Sequence, residues 1–231
     1  MLYLVPTPIG NLEDITVRAI EVLKSVDYIL AEDTRKTHIL LRHYNIDART
    51  TSYHQHNGKK KLSAVLTHLK EGKNVALVSE AGTPGISDPG FLLVRACTEE
   101  NITVSSLPGP NALIAALVSS GLPSDHFYFA GFLPHKKGRN KKWEDLVQRE
   151  ETVIVYESPY RIEKFLIECE QYAGAGRLIC IARELTKIHE EYIRGTVSEV
   201  REKLKDREPL RGEMVVVMAG KGYVNNPESV A

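Results

Sequence analysis

A chain of 231 residues is long enough for two domains of ordinary size, and 42% hydrophobic against 26% charged residues exclude a disordered or membrane-embedded chain. Thirty basic residues balance thirty acidic ones, so no bulk field draws in a polyanion and any nucleic-acid site has to be a local patch. Cys97, Cys169 and Cys180 form an odd set without a C-x-x-C pair, each among apolar neighbours, which is the usage of a reducing compartment. Residues 2–5 meet Pro6 too soon for a signal peptide, and no apolar run approaches a membrane span. The cytoplasm is the expected location, with no membrane partner.

Short apolar runs alternate with helix-period segments from end to end, the pattern of α/β architecture with largely parallel strands. Strands are predicted near residues 2–5, 27–31, 74–79 and 102–106. Between the first two, Asp14 can cap a helix that places Ile15, Ala19, Val22, Leu23 and Val26 on one face. Asp88 and Pro89 read as the N-cap and first residue of a helix through Phe91, Leu92, Val94 and Arg95. Further strands are predicted at 152–156, 177–182 and 214–219, and Ser158-Pro159 is expected to cap a helix buried through Ile162, Phe165, Leu166 and Cys169. The turn-forming run 119–125 is the expected domain boundary, giving domains 1–120 and 121–231, and residues 221–231 are polar without period.

Three loops follow predicted strands. The first, Val5-Pro6-Thr7-Pro8-Ile9-Gly10-Asn11-Leu12, stands where a dinucleotide fold carries G-x-G-x-x-G, but its prolines lack the amide hydrogens that cradle a pyrophosphate. It reads either as a stiff turn or as a ligand-lining loop, with Pro8 on the ligand side. The second, residues 79–90, carries three glycines and two prolines, so its backbone amides and carbonyls can face a small polar ligand. Loops of this length in compact domains are usually functional. The third is Pro108-Gly109-Pro110-Asn111-Ala112, and no G-x-x-x-x-G-K-[ST] string supports a triphosphatase.

Charged groups beside the predicted strand ends are the candidates for proton chemistry: Glu32, Asp33, Glu80, Glu184 and Lys187, and spacing does not choose among them. Asp33 and Arg35 read equally as a helix cap with a surface pair. His54 and His56 lack a third ligand at sensible spacing, so no metal is expected. The run 135–142 holds Lys136, Lys137, Arg139, Lys141 and Lys142, either a solvated loop or, with Lys59, Lys60 and Lys61, a phosphate-gripping patch for RNA.

The strings LVPTPIGNLEDIT, AEDTRKT, SEAGTPGISDPG, LPGPNA, GFLP, ESPYR and RELTK, in this order over nearly the whole chain, resemble the tetrapyrrole methylase family, and more narrowly its RNA-modifying branch. The resemblance implies two α/β domains with a cleft between them for S-adenosylmethionine, and a homodimer. It implies 2′-O-methylation of a cytidine ribose in the decoding region of 16S ribosomal RNA, free or in the small ribosomal subunit. It places Glu80, Ala81, Gly82, Ile86, Ser87 and Leu133 near the cofactor, and Arg183, Glu184 and Lys187 on the opposing domain. Pro6 and Pro8 stand where tetrapyrrole methylases usually carry glycines, and Gly82-Thr83-Pro84 where they carry Gly-Asp-Pro, which points away from a tetrapyrrole. Glu80 replaces an Asp common in the RNA branch. A small-molecule or protein methylase, or a non-catalytic RNA-binding module, are the alternatives; the last predicts binding without turnover.

Overall fold

The structure, a computed structural model, describes residues 1–54 and 57–224. Gln55 and His56, and residues 225–231 of the polar tail, lie outside the described residues. The chain divides into two compact units, Met1–Asn111 and Ala112–Ala231.

The first unit carries β1 (Leu2–Leu4), β2 (Tyr28–Ala31), β3 (Thr50–Ser52), β4 (Val75–Val78) and β5 (Val104–Ser106) in one sheet of order β3-β2-β4-β1-β5. Every pairing in it is parallel. Its helices are α1 (Val17–Ser25), α2 (Thr34–His43), α3 (Gly58–Lys70) and α4 (Phe91–Glu99). The two central strands, Tyr-Ile-Leu-Ala and Val-Ala-Leu-Val, are buried at every position because both faces of a parallel sheet are covered. Ile29, Ala31, Ala76 and Val78 pack with Ala19, Leu23, Leu40 and Leu41 on one face. Tyr28, Leu30, Val75 and Leu77 pack with Val65, Leu69, Leu93 and Cys97 on the other.

The second unit carries β6 (Phe127–Phe132), β7 (Thr152–Glu157), β8 (Leu178–Arg183), β9 (Glu191–Thr196) and β10 (Met214–Met218), in the order β6-β7-β10-β8-β9. Its helices are α5 (Ala112–Ser120), α6 (Arg139–Val147), α7 (Ile162–Ala173) and α8 (Val197–Lys205). Only the β6–β7 pairing is parallel here, so the expectation of largely parallel strands holds for the first sheet and fails for the second. The apolar helix α5 packs on β7, β8 and β10, which moves the division to Asn111/Ala112 from the expected 120/121. The turn residues at 119–125 end that helix instead of separating domains. Cys97, Cys169 and Cys180 are all unpaired and buried, and burial pushes the Cys169 thiol up to about 12.

Three helix starts differ from expectation. Thr16, not Asp14, caps α1, its hydroxyl accepting from Ala19 N at 3.0 Å, while Asp14 ends a short 3-10 turn. Gly90 precedes α4, leaving Asp88 in the loop. Arg161 precedes α7, and the Ser158 hydroxyl accepts from Tyr160 N at 3.3 Å in the turn before it. The strands β3, β6 and β9, which were not predicted, are short, bulged or polar: β6 shifts register between Phe129 and Gly131, and β9 carries Arg194 and Gly195. Among the described residues no helix is long and apolar enough to cross a membrane.

Candidate functional site

The three glycine- and proline-rich loops leave the carboxyl ends of β1, β4 and β5, adjacent in one parallel sheet, the edge where α/β sheets bind ligands. Backbone bonds stitch them together. Thr7 N donates to Gly82 O and Gly82 N to Thr7 O, each at 2.9 Å. The Ser79 hydroxyl donates to Gly82 O at 3.0 Å, and the Thr83 hydroxyl to Pro110 O at 3.1 Å. Asn111 Nδ2 closes the set on Thr83 Oγ1 at 3.2 Å. Two glycines make this approach possible: a Cβ on Gly109 would stand 2.7 Å from Pro6 Cβ, and Gly82, at φ +78°, would bring one to 3.3 Å from Ile9. Pro8, Ala81, Gly82, Ile86 and Ser87 therefore share one braced loop edge. Ser87 holds φ 60° without being glycine, a strained conformation of the kind that gathers at functional sites.

Acidic groups stand at the same edge. Glu80 pairs with Lys36 of α2. The Asp88 carboxyl is pushed up to about 7, first by burial and then by the charges of Glu32 and Glu80. Burial and Glu80 also raise Glu32, against the pull of His54 and Lys36. Asp33 behaves oppositely: it caps α2, and hydrogen bonds from Arg35 bring its carboxyl down to about 2. Asp88 was read from sequence as a helix cap, and only its burial beside two other carboxylates marks it out.

Because Asp88 titrates above its ordinary 3.8, the folded chain keeps a proton that the unfolded chain has already lost in that interval. Its protonated form supports the fold fully at low pH, and that support is lost as pH rises through about 7. Asp88→Asn, neutral at every pH, is expected to raise the urea midpoint over the parent at about pH 8 and to match it at about pH 4. An equal midpoint difference at both values would show that the carboxyl is not perturbed.

In the second unit, Glu184 and Lys187 form a closed pair in the loop after β8. Glu184 Oε1 accepts from Lys187 Nζ at 2.8 Å and from Glu213 N at 2.9 Å, and Lys187 also reaches Glu213 Oε2 at 2.9 Å. Burial raises the Glu184 carboxyl, but the Lys187 and Glu213 bonds outweigh it and hold it below the ordinary range. Burial lowers Lys187, and the same bonds reverse this, so it stays protonated. Glu184 and Thr186 sit at φ 51° and 64°. Leu133 is buried among Trp143, Leu146 and Phe165, so its side chain belongs to the core of this unit.

The basic run does not stay together. Lys136, Lys137 and Lys141 are exposed, but Arg139 is 3% exposed, its Nε 2.7 Å from Glu168 Oε2 and its Nη1 donating to Pro134 O at 3.0 Å. Arg139 is thus a buried strut and not a surface cation, which corrects its place in the expected RNA patch. Lys142 is half-buried, donating to the Tyr128 hydroxyl at 2.8 Å. On α3, Lys61 is tied to Ser52 O at 2.7 Å, while Lys59 and Lys60 are exposed.

Two five-stranded α/β units, the first wholly parallel and edged by stitched glycine and proline loops, define the class. The family model for Tetrapyrrole (Corrin/Porphyrin) Methylases matches residues 1–201, and the chain belongs to that family. It is similar to the ribosomal RNA small subunit methyltransferase I of Hydrogenobaculum sp. (strain Y04AAS1), 50% identical over 219 residues that cover 94% of this chain and 95% of that protein. The protein of the same name from Synechocystis sp. (strain ATCC 27184 / PCC 6803 / Kazusa) is 49% identical over 221 residues, covering 95% of this chain and 79% of its own. The fold matches uroporphyrin-III C-methyltransferase from Thermus thermophilus, solved with S-adenosyl homocysteine, at a TM-score of 0.64 and 17% identity over 94% and 96% of the two chains.

Proposed function

We propose that the chain methylates 16S ribosomal RNA with S-adenosylmethionine, on the ribose 2′-hydroxyl of a cytidine in the decoding region, as a cytoplasmic homodimer. One observation carries the reading: identity of 50% across almost the full length of both this chain and a protein named for small-subunit ribosomal RNA methylation. The cofactor is supported by the solved relative's complex with S-adenosyl homocysteine. The ribose position and the assembly follow from the motif resemblance.

The loop edge fits such a cofactor because Gly82 and Gly109 hold their neighbours where a Cβ would intrude. Pro8, Glu80, Ala81, Gly82, Ile86 and Ser87 are the residues assigned to hold it. Bound S-adenosylmethionine supplies an electrophilic methyl group. The chain's part is to orient the acceptor hydroxyl and to take its proton, for which a base near neutrality works best. Asp88, raised to about 7, suits that task. Asp33, brought down to about 2, suits it poorly, and the Glu184–Lys187 pair is fixed in its charged form, fit to hold a group but not to accept a proton. The exposed Lys136, Lys137 and Lys141 are assigned to RNA phosphates.

Mapping of ribose methylation on 16S RNA from cells lacking the protein tests the reading. The expected result is loss of one 2′-O-methylcytidine, restored when purified protein and S-adenosylmethionine are added to the small subunits. An unaltered map would overturn it.

A further inference from the structure

The loop after β6 and the turn after β7 leave adjacent parallel strands, with Phe132 paired to Tyr156 at their ends. A buried charge network locks the two together. Glu157, with its carboxylate fully buried, accepts from Ser158 N at 2.7 Å and from Arg161 Nε at 2.8 Å through Oε1, while its Oε2 faces Arg139 at 3.8 Å. Arg139 in turn holds Pro134 O and Glu168. Above the network, Arg161 Nη1 lies 2.8 Å from Nε2 of His135. Burying this many charges is costly, and removing any one partner leaves the others uncompensated, so the network ties the two segments to each other.

Between Ser158 and Arg161 stands Tyr160, 96% exposed on a turn tied down by its own amide on the Ser158 hydroxyl and by Arg161 on Glu157. A tyrosine standing in water on a braced turn gains nothing from folding, since its ring leaves almost no surface buried. Lys136 and Lys137, both exposed, follow His135 directly, so two cations stand on the loop that Arg161, the residue after Tyr160, reaches through His135. An exposed aromatic face beside cations on a rigid support is the arrangement that binds single-stranded nucleic acid, by base stacking and phosphate contact together.

We infer that Tyr160 is a stacking platform for an unpaired base of the RNA substrate, with Lys136 and Lys137 on the adjoining phosphates and the Arg139–Glu157–Glu168 network as the positioning device beneath. The inference rests on the reading of the substrate as ribosomal RNA and goes beyond it in naming the contact and its unpaired state. Arg139, expected from sequence to touch phosphate, acts here through the loop it braces.

Stacking and phosphate contact have separable signatures in titrations of a single-stranded oligoribonucleotide against the full chain at several salt concentrations. Tyr160→Ala is expected to weaken binding roughly tenfold with the salt slope unchanged, because stacking releases no counterions. Tyr160→Phe, which keeps the ring face, is expected to bind within about twofold of the parent. Lys136→Ala with Lys137→Ala is expected to flatten the log–log salt slope by about 1.4, at about 0.7 per contact. Parent affinity in Tyr160→Ala, or an equal loss in Tyr160→Phe, overturns the platform while leaving the methylation map intact. A parent chain that neither binds RNA nor methylates it overturns both readings.

Discussion

Arg139→Ala is expected to destabilise the second unit by about 3–5 kcal/mol, the usual consequence of removing one partner from a buried ion pair. The guanidinium touches Glu168 through both Nε and Nη2 at 2.7 Å, and its removal leaves the Glu168 carboxylate without its nearest cation and the buried Glu157 carboxylate with Arg161 alone. Trp143, the single tryptophan, is fully buried and donates to the same Glu168 oxygen at 2.9 Å, so its fluorescence reports on this network. Burial alone raises the Glu168 carboxyl, but the bonds from Arg139 and Trp143 outweigh it, leaving it below the ordinary 4.5. A carboxyl lowered in the fold stabilises above its unfolded value and loses that contribution as pH falls, so the gap between parent and variant narrows under acid. Urea unfolding followed at the tryptophan decides the matter. A variant within about 0.5 kcal/mol of the parent would return Arg139 to the surface role its sequence neighbours suggest.

That reversal shows where sequence stops being legible. Arg139 lies in a run of lysines, and nothing local distinguishes it; its burial depends on Glu168, 29 residues away on another helix. The same limit applies to Asp88, whose position before Pro89 is that of a cap, while its perturbation comes first from burial and then from Glu32, beyond the end of β2, and Glu80, at the start of its own loop. By contrast β2 and β4 were readable because a run buried on both faces is apolar at every position, and this is a local property. The loop 79–90 was readable because positive φ demands glycine, which Gly82 and Gly85 supply. Its partner was not, since the Thr7–Gly82 bridge joins backbones 75 residues apart and backbone pairing leaves no mark on side-chain type. α5 is apolar nearly throughout, as a buried helix is, but which sheet it covers is decided by contacts to β7, β8 and β10.

Gly82→Val is expected to abolish cofactor binding in calorimetry while the Trp143 transition of the second unit stays at its parent position. Three effects add at this residue. A φ of +78° is unfavourable for any L side chain by about 1–2 kcal/mol, and a β-branched one is worse placed still. The new Cβ meets Ile9 at 3.3 Å and Pro110 O at 3.6 Å, on the two loops that Gly82 joins. If the backbone turns to relieve either strain, the reciprocal bonds with Thr7 go, at about 0.5–1.5 kcal/mol each. Together these reach about 3 kcal/mol, a loss of at least roughly a hundredfold in affinity if the bound state needs the stitched edge. Gly85→Ala separates the causes, for Gly85 shares the conformation at φ +87° but has nothing within 4 Å of an added Cβ. Conformational strain alone predicts a loss of about tenfold there, with the Thr7 bridge intact. Equal losses in the two variants would mean that loop conformation, not its union with the β1 and β5 loops, is what the cofactor requires. Parent affinity in Gly82→Val would remove this edge from the binding site.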